Sequence, residues 1–129
     1  MRQPERIRQR RDFLLANQGR RVSSAGFVLL VRQRGDGNDL IRAGFTVTKK
    51  IGNSVVRNRL KRRLREIVHL VLPAHGHPGA DHVLIGRDAG LTREFADLRT
   101  DLEKALTKAH LPPKEGQRVW QPKAQGSRR

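Results

Sequence analysis

The sequence predicts an α+β fold with two layers, one of helices and one of strands, from three observations. Two apolar segments rich in β-branched and aromatic residues flank a turn cluster of glycine and aspartate, as hairpin strands do. Two further segments carry apolar residues at spacings of three and four, which is the period of a helix. The length of 129 residues suits one domain rather than two. The resulting order is helix, hairpin, helix, strand, helix, which is typical of a two-layer α+β sandwich.

The first half of the chain supplies a short helix and the two hairpin strands. Residues 11–18 favour a helix, and Gly19 is expected to end it, because glycine readily adopts the backbone conformation that follows a last helical turn. Residues 22–33 and 40–48 are rich in apolar and β-branched side chains and predict two strands. The turn cluster GDGND at 35–39 is expected to join these strands as a hairpin.

The second half supplies two amphipathic helices with a strand between them. Residues 54–72 predict the first helix, and Pro73 is expected to end it. A short apolar strand is predicted at 82–86. Thr92 is expected to cap the last helix, which the prolines at 112–113 end. The apolar stripe of the first of these helices consists of Val56, Leu60, Leu64, Ile67, Val68 and Val71.

The two ends of the chain lack such patterns. Residues 1–10 are polar and basic and predict a mobile arm. Residues 11–111 form the predicted domain, and residues 112–129, which show no period, predict a disordered basic tail. The chain has no cysteine and no apolar stretch near the length of a membrane span. We therefore expect a cytoplasmic protein with no membrane partner and no disulfide framework.

The charge of the chain is strongly positive and unevenly distributed. Lys and Arg number 28 against 12 Asp and Glu, which gives a formal net charge of +16. Between Asp39 and Glu66 there are nine basic residues and no acid. Such a surplus favours a polyanionic partner, because counterion release drives binding to phosphates. Nucleic acid is the expected partner, and an anionic membrane surface is the competing one.

The segment 49–66 (KKIGNSVVRNRLKRRLRE) is the clearest candidate binding site. It combines an apolar helix stripe with a dense guanidinium face on the other side. Guanidinium groups pair bidentately with phosphates and stack on bases, which favours RNA. Lys49 and Lys50 lie just before the helix N-terminus, where a phosphate can bind. The alternative is a solvated helix face, although like charges four residues apart, such as Arg57 and Lys61, are mildly destabilising.

The centre of the first predicted strand, FVLLV at 27–31, is apolar on both faces. Period-two alternation directs Val28 and Leu30 to one face and the other three side chains to the opposite face. Two interpretations remain open. Either helices cover both faces, or one face forms an apolar groove for unstacked bases.

A self-contained active site is not visible in the sequence. There is no carboxylate pair beside a base and no glycine-rich phosphate loop, and Ser54 has no neighbouring triad partner. His69, His75, His77 and His82 lack thiolate or regularly spaced carboxylate partners, so we expect no protein-bound metal or cofactor. We also expect no catalytic residue.

Several short motifs around the Arg-rich helix occur together. They are Lys49-Lys50, Gly52-Asn53, Arg57-Asn58-Arg59, Lys61-Arg62 and Arg65, with Arg11-Asp12-Phe13 and Gly19-Arg20 upstream and HVLIGR downstream. In this combination the chain resembles the protein subunit of bacterial ribonuclease P, over about residues 6–110.

The resemblance implies a central mixed sheet in which the Arg-rich helix forms a left-handed βαβ crossover. It further implies a holoenzyme, with one protein per RNA, in which the RNA subunit uses Mg²⁺ to cleave the 5′ leader from precursor tRNA. The RNA-binding residues that it implies are Lys49, Lys50, Asn53, Arg57, Asn58, Arg59, Lys61, Arg62 and Arg65.

For the leader, the resemblance implies a cleft between the sheet and the first helix, formed by Phe13, Val28, Leu30 and Thr46. Family members usually carry a second aromatic residue on that helix and often one on the strand, where this chain has Asn17 and Leu30. Base stacking in the cleft is therefore expected to depend on Phe13. The alternative function, from another class, is that of a ribosomal-type structural RNA-binding protein with no role in processing.

Overall fold

The computed structural model describes residues 3–110, so the predicted tail at 112–129 lies outside the described residues. The strands are β1 (Glu5–Arg6), β2 (Arg20–Ser23), β3 (Phe27–Gln33), β4 (Arg42–Thr46) and β5 (Ala80–Gly86). The helices are α1 (Arg10–Leu15), α2 (Ser54–His75) and α3 (Phe95–His110). Short 3-10 turns follow α1 at Ala16–Gln18 and precede the other two helices at Lys49–Ile51 and Asp88–Leu91.

The strands form one mixed sheet in the order β1-β4-β5-β3-β2. β4 and β5 are adjacent and parallel, and α2 connects them, so the three elements form a βαβ unit. β3 is antiparallel to both of its neighbours, β5 and β2. The predicted α+β class with a central mixed sheet is confirmed, and the left-handedness of the crossover stays a prediction.

The predicted hairpin between the segments 22–33 and 40–48 is wrong. β5 lies between β3 and β4, so the turn at 35–39 connects two strands that do not pair. The first segment is itself a hairpin, β2 and β3, which the small residues at 24–26 divide. β5 occupies the centre of the sheet, and its first five residues are buried, as is expected of a strand that is covered on both faces.

Both long helices depart from their predicted bounds at one end. α2 continues through Pro73 to His75, because a proline in the last turn removes only one backbone hydrogen bond close to the helix end. α3 begins at Phe95 rather than directly after Thr92, because the 3-10 turn Asp88–Leu91 takes up the preceding residues. The amphipathic pattern therefore located each helix more accurately than the local start and stop signals did.

The core has two parts, one on each face of the sheet. α2 and α3 cover one face, and the largest side chains buried there are Phe27, Leu29, Leu60, Leu64, Ile67, Leu72, Leu84, Leu98, Leu102 and Leu106. A smaller cluster of Ile7, Ala16, Val28, Leu30 and Val83 lies on the other face, with Phe13 of α1 packed against it. The predicted alternation of the β3 side chains is thus confirmed, and helices lie on both faces.

Part of the segment predicted as a mobile arm belongs to the sheet and the core. The backbone N–H of Glu5 donates to the carbonyl of Ile41 at 2.7 Å, and that of Ile7 donates to the carbonyl of Ala43 at 3.0 Å. The side chain of Ile7 is only 2% exposed. The apolar side chain of Ile7, set among basic residues, holds residues 5–7 against β4.

Candidate nucleic-acid interface

The N-terminus of α2 presents the basic segment on an ordered frame. The side-chain oxygen of Asn53 accepts a hydrogen bond from the N–H of Val56 at 3.0 Å and so caps the helix. Lys49 and Lys50 lie in the 3-10 turn that precedes the cap, and both are exposed. The positive end of the helix dipole adds to the field of these two ammonium groups at one place.

The outward side of α2 carries most of the predicted RNA-binding residues. Because Leu60, Leu64 and Ile67 face the core, the helical period turns Asn58, Arg62 and Arg65 away from it. Seven of the nine residues are exposed, namely Lys49, Lys50, Asn53, Asn58, Arg59, Arg62 and Arg65. The remaining two, Arg57 and Lys61, are half-buried.

Two arginines of α2 flank its buried stripe and differ from the outward ones. Arg63 donates to the backbone carbonyl of Arg93. The side chain of Arg93 in turn donates to the carboxylate of Asp101 through two nitrogens, at 2.5 and 3.2 Å. Hydrogen bonding to that carboxylate raises the pKa of Arg93. The Nε of Arg57 is buried and has no hydrogen-bond partner among the described residues. Arg63 therefore ties α2 to α3, and Arg57 lies at the margin of the face rather than at its centre.

The outward face has no acidic counterpart. Among the described residues, none of the seven cations of the predicted RNA-binding set takes part in an ion pair: Lys49, Lys50, Arg57, Arg59, Lys61, Arg62 and Arg65. Side chains with this charge and exposure remain available for an external polyanion.

The predicted leader cleft lies on the opposite face of the sheet, beside α1. The ring of Phe13 lies on Gly44, where an added Cβ would come within 2.6 Å of two ring carbons. Thr46, Ile85 and Val28 are register partners on three adjacent strands, so their side chains form one row on this face.

Exposure divides the four predicted leader-cleft residues into two pairs. Phe13 and Thr46 are half-buried, as is their neighbour Ile85, and can be touched from outside. Val28 is 7% exposed and Leu30 is 1% exposed. Leu30 packs with Ala16 under α1, so it supports the floor of the cleft instead of lining it. Leu30, which stands where the resemblance often implies an aromatic residue, therefore changes what supports the predicted cleft rather than the surface that a base would contact.

A groove of about 850 Å³ at the sheet edge connects the basic side of α2 with the predicted leader cleft beside α1. Its walls come from the N-terminal segment and from α2, and its floor from β4. The lining residues that carry charge or an aromatic ring are Glu5, Arg6, Arg8, Phe13, Phe45, Lys61, Arg65 and His69. Arg6 and Arg8 are not among the predicted RNA-binding residues, because the sequence pattern predicts a mobile arm for residues 1–10. The alternation Arg-Ile-Arg around the buried Ile7 is the signal that could have identified them.

The histidines have structural surroundings. His77 and His82 are buried, with ring centroids 5.6 Å apart at nearly a right angle. The Nε2 of His82 accepts from the N–H of His77 at 3.1 Å, and its Nδ1 donates to the carbonyl of Arg42 at 3.1 Å. Burial lowers the pKa of His82 to about 4, so its ring is neutral near pH 7. Within residues 3–110 no group of three or more His, Asp or Glu residues is placed to hold a metal ion.

Comparison with known proteins assigns the chain to a family. The family model described as Ribonuclease P matches residues 1–110. The chain belongs to this family. It is 53% identical over 107 residues to the ribonuclease P protein component of Erythrobacter litoralis, covering 82% of this chain and 86% of the relative. It is 50% identical over 102 residues to that of Caulobacter vibrioides, covering 79% and 68%.

Solved structures of ribonuclease P proteins share the fold. The protein from Thermotoga maritima superposes with a TM-score of 0.68 at 35% identity, covering 81% of this chain and 96% of the other. The Staphylococcus aureus protein gives a TM-score of 0.68 at 28% identity, covering 84% and 97%. The resemblance read from the Arg-rich helix is therefore confirmed, and the ribosomal-type alternative finds no support.

Membership of the ribonuclease P family makes the chain the protein component of an endoribonuclease, with the ribonuclease P RNA as its partner. This partnership explains a strongly basic protein in which, among the described residues, the cations of the predicted RNA-binding set take part in no ion pair. No helix in the part of the chain that the structure describes is long and apolar enough to cross a membrane.

Proposed function

We propose that this chain binds the catalytic RNA through the outward side of α2 and holds the 5′ leader of precursor tRNA in the cleft beside α1. Together these contacts promote endonucleolytic maturation of the tRNA 5′ end. The observation that carries the proposal is the set of seven cations, all without an ion-pair partner among the described residues, on and just before one helix. They belong to the predicted RNA-binding set of Lys49, Lys50, Asn53, Arg57, Asn58, Arg59, Lys61, Arg62 and Arg65.

Within that set the exposed arginines make the principal phosphate contacts. Arg62 and Arg65 point away from the core, so a phosphate can reach both without moving the helix. The groove at the sheet edge extends the surface, because Arg6 and Arg8 lie across it from Lys61 and Arg65. RNA bound on α2 would therefore continue past the edge of the sheet to the N-terminal segment.

The leader occupies the cleft whose residues are Phe13, Val28, Leu30 and Thr46, with Phe13 as its stacking platform. Phe13 is half-buried, so one side of its ring packs on Gly44 while part remains accessible. An aromatic ring beside a basic surface suits single-stranded RNA, since every base has a face that can stack and every nucleotide has a phosphate. Val28 and Leu30 form the apolar support beneath.

Catalysis belongs to the RNA subunit, which uses Mg²⁺, and the protein contributes binding and orientation. The holoenzyme contains one protein per RNA and acts in the cytoplasm. The protein itself holds no cofactor. Its effect on the reaction is then to lower the Mg²⁺ concentration that the RNA needs, because protein cations replace part of the counterion atmosphere around the phosphates.

Reconstitution tests the proposal directly. The chain is combined with a bacterial ribonuclease P RNA at low Mg²⁺, and cleavage of precursor tRNA at the mature 5′ end is measured. We expect cleavage with both components and none with RNA-free protein at any Mg²⁺ concentration. Cleavage by the protein alone would contradict the division of labour, and failure to stimulate the RNA would contradict the proposed role.

A further inference from the structure

An ion pair between Asp12 of α1 and Arg42 of β4 adjoins the buried carboxylate of Asp81. Asp81, at the start of β5, is fully buried. Arg42, its register partner on β4, donates to it through Nε at 2.6 Å and through one terminal nitrogen at 2.7 Å. Arg34 donates to the same carboxylate at 2.9 Å. The forked contact fixes the plane of the Arg42 guanidinium.

The same terminal nitrogen of Arg42 lies 3.3 Å from the carboxylate of Asp12. Asp12 precedes Phe13 in α1, a helix of six residues none of which is buried. Few apolar contacts therefore hold this helix, and a polar contact has a correspondingly larger share in fixing it. Arg34 has a second carboxylate partner in Asp36, at 3.0 Å, whereas the second carboxylate partner of Arg42 is Asp12, which belongs to α1.

The carboxylate of Asp81 stays ionised at neutral pH. Burial alone would raise the pKa of Asp81, but hydrogen bonds from Arg42 and Arg34 outweigh it and hold that pKa below its usual value. The Asp81 carboxylate therefore keeps both arginines oriented under the conditions in which the enzyme works.

We infer that Arg42 and Asp81 are positioning residues for leader binding: Asp81 orients Arg42, Arg42 holds Asp12, and Asp12 sets the place of Phe13 over the sheet. This inference rests on the proposed function of the cleft. A displaced Phe13 would still be present but would no longer offer its ring at stacking distance from a leader base.

The test uses the holoenzyme reconstituted with the catalytic RNA and compares the affinities for precursor tRNA and mature tRNA. Asp12→Asn removes the charge of the outer partner and leaves the buried carboxylate intact. We expect precursor binding to weaken about 2- to 5-fold, the upper part of the range for a partly exposed ion pair, with mature tRNA binding unchanged. Asp97→Asn, the same change on an exposed residue of α3, is the matched control and should alter neither affinity.

A second variant separates positioning from simple stability. Arg42→Lys keeps the charge but lacks the fork that reaches two carboxylates. If Asp12 acts through Arg42, the double variant Asp12→Asn/Arg42→Lys should lose no more selectivity for precursor over mature tRNA than Asp12→Asn alone. Additive losses would overturn the inference, as would parallel loss of both ligands together with a lower melting temperature.

Phe13→Ala distinguishes failure of the inference from failure of the cleft. If Phe13→Ala weakens precursor binding and Asp12→Asn does not, the ion pair has no positioning role and the leader cleft stands. If neither variant affects precursor binding, the leader cleft itself is wrong, and the positioning role falls with it.

Discussion

Two groups of arginines in this protein differ in what neutralises them. On the outward side of α2, Arg59, Arg62 and Arg65 are exposed and have no acid within ion-pair distance among the described residues. Around Asp81, by contrast, Arg34 and Arg42 share one buried carboxylate. The arginines of the first group repel one another in the folded protein, and an external polyanion relieves that repulsion. The arginines of the second group are neutralised by a carboxylate within the protein. Net charge alone does not separate a binding surface from a structural cluster.

The largest difference between the groups should appear in stability. Asp81→Ala leaves two arginines without their buried partner, and removing one member of a buried pair costs about 3–5 kcal/mol. The double variant Arg62→Gln/Arg65→Gln should change the unfolding free energy by less than about 0.5 kcal/mol, because both side chains are exposed. Urea denaturation of each variant measures this. Equal losses of unfolding free energy in the two variants would contradict the distinction between the two groups of arginines.

The internally satisfied region should also show a dependence on pH. His82 donates to the carbonyl of Arg42, and burial lowers its pKa from the usual 6.5 to about 4. Between these values the unfolded chain binds a proton that the folded protein does not, so stability falls as the pH falls. We expect a loss of ~3 kcal/mol between pH 6.5 and 4, and none from this group above pH 7.

Denaturation curves at a series of pH values measure this loss. His82→Gln, which keeps a hydrogen-bonding side chain, should flatten the curve over that interval. A variant that retains the full slope would mean that another group is responsible.

The accessible region beside α1 should affect the substrate rather than the catalytic RNA. One base–aromatic contact is worth about 1–3 kcal/mol, so Phe13→Ala should weaken binding of precursor tRNA about 5- to 100-fold. Binding of mature tRNA, which lacks a leader, should not change. A variant that is destabilised and loses both ligands equally would show that Phe13 is only a core residue.

The smallest effect is expected from the N-terminal wall of the edge groove. Replacing Arg6 and Arg8 by Gln should flatten the dependence of log affinity for the catalytic RNA on log salt by about 1.5, if each contacts one phosphate. Lys104→Gln/Lys108→Gln, two exposed cations on α3, serve as the matched control and should leave the slope unchanged. An equal change in both variants would mean that only net charge matters.

Much of the fold, and the exposure of the basic side chains on the outward side of α2, could be predicted because the signals are local. The apolar stripe of α2 fixes its outward side, and alternation along β3 places Val28 and Leu30 on one face. The insertion of β5 between β3 and β4 could not be predicted, because it depends on pairing between segments about forty to sixty residues apart. Burial of Ile7 depends likewise on the edge of β4. Arg42 and Arg62 look alike in sequence, and only the position of Asp81 distinguishes their roles.

The salt dependence of binding to the catalytic RNA tests the central claim most directly. If the face of α2 neutralises about six phosphates, log affinity plotted against log salt should fall with a slope near −4 to −5. Arg62→Gln/Arg65→Gln should flatten it by about 1.5, while its melting temperature stays that of the unaltered protein. A slope flatter than about −2 for the unaltered chain, or an unchanged slope in the double variant, would contradict the assignment of this face to RNA.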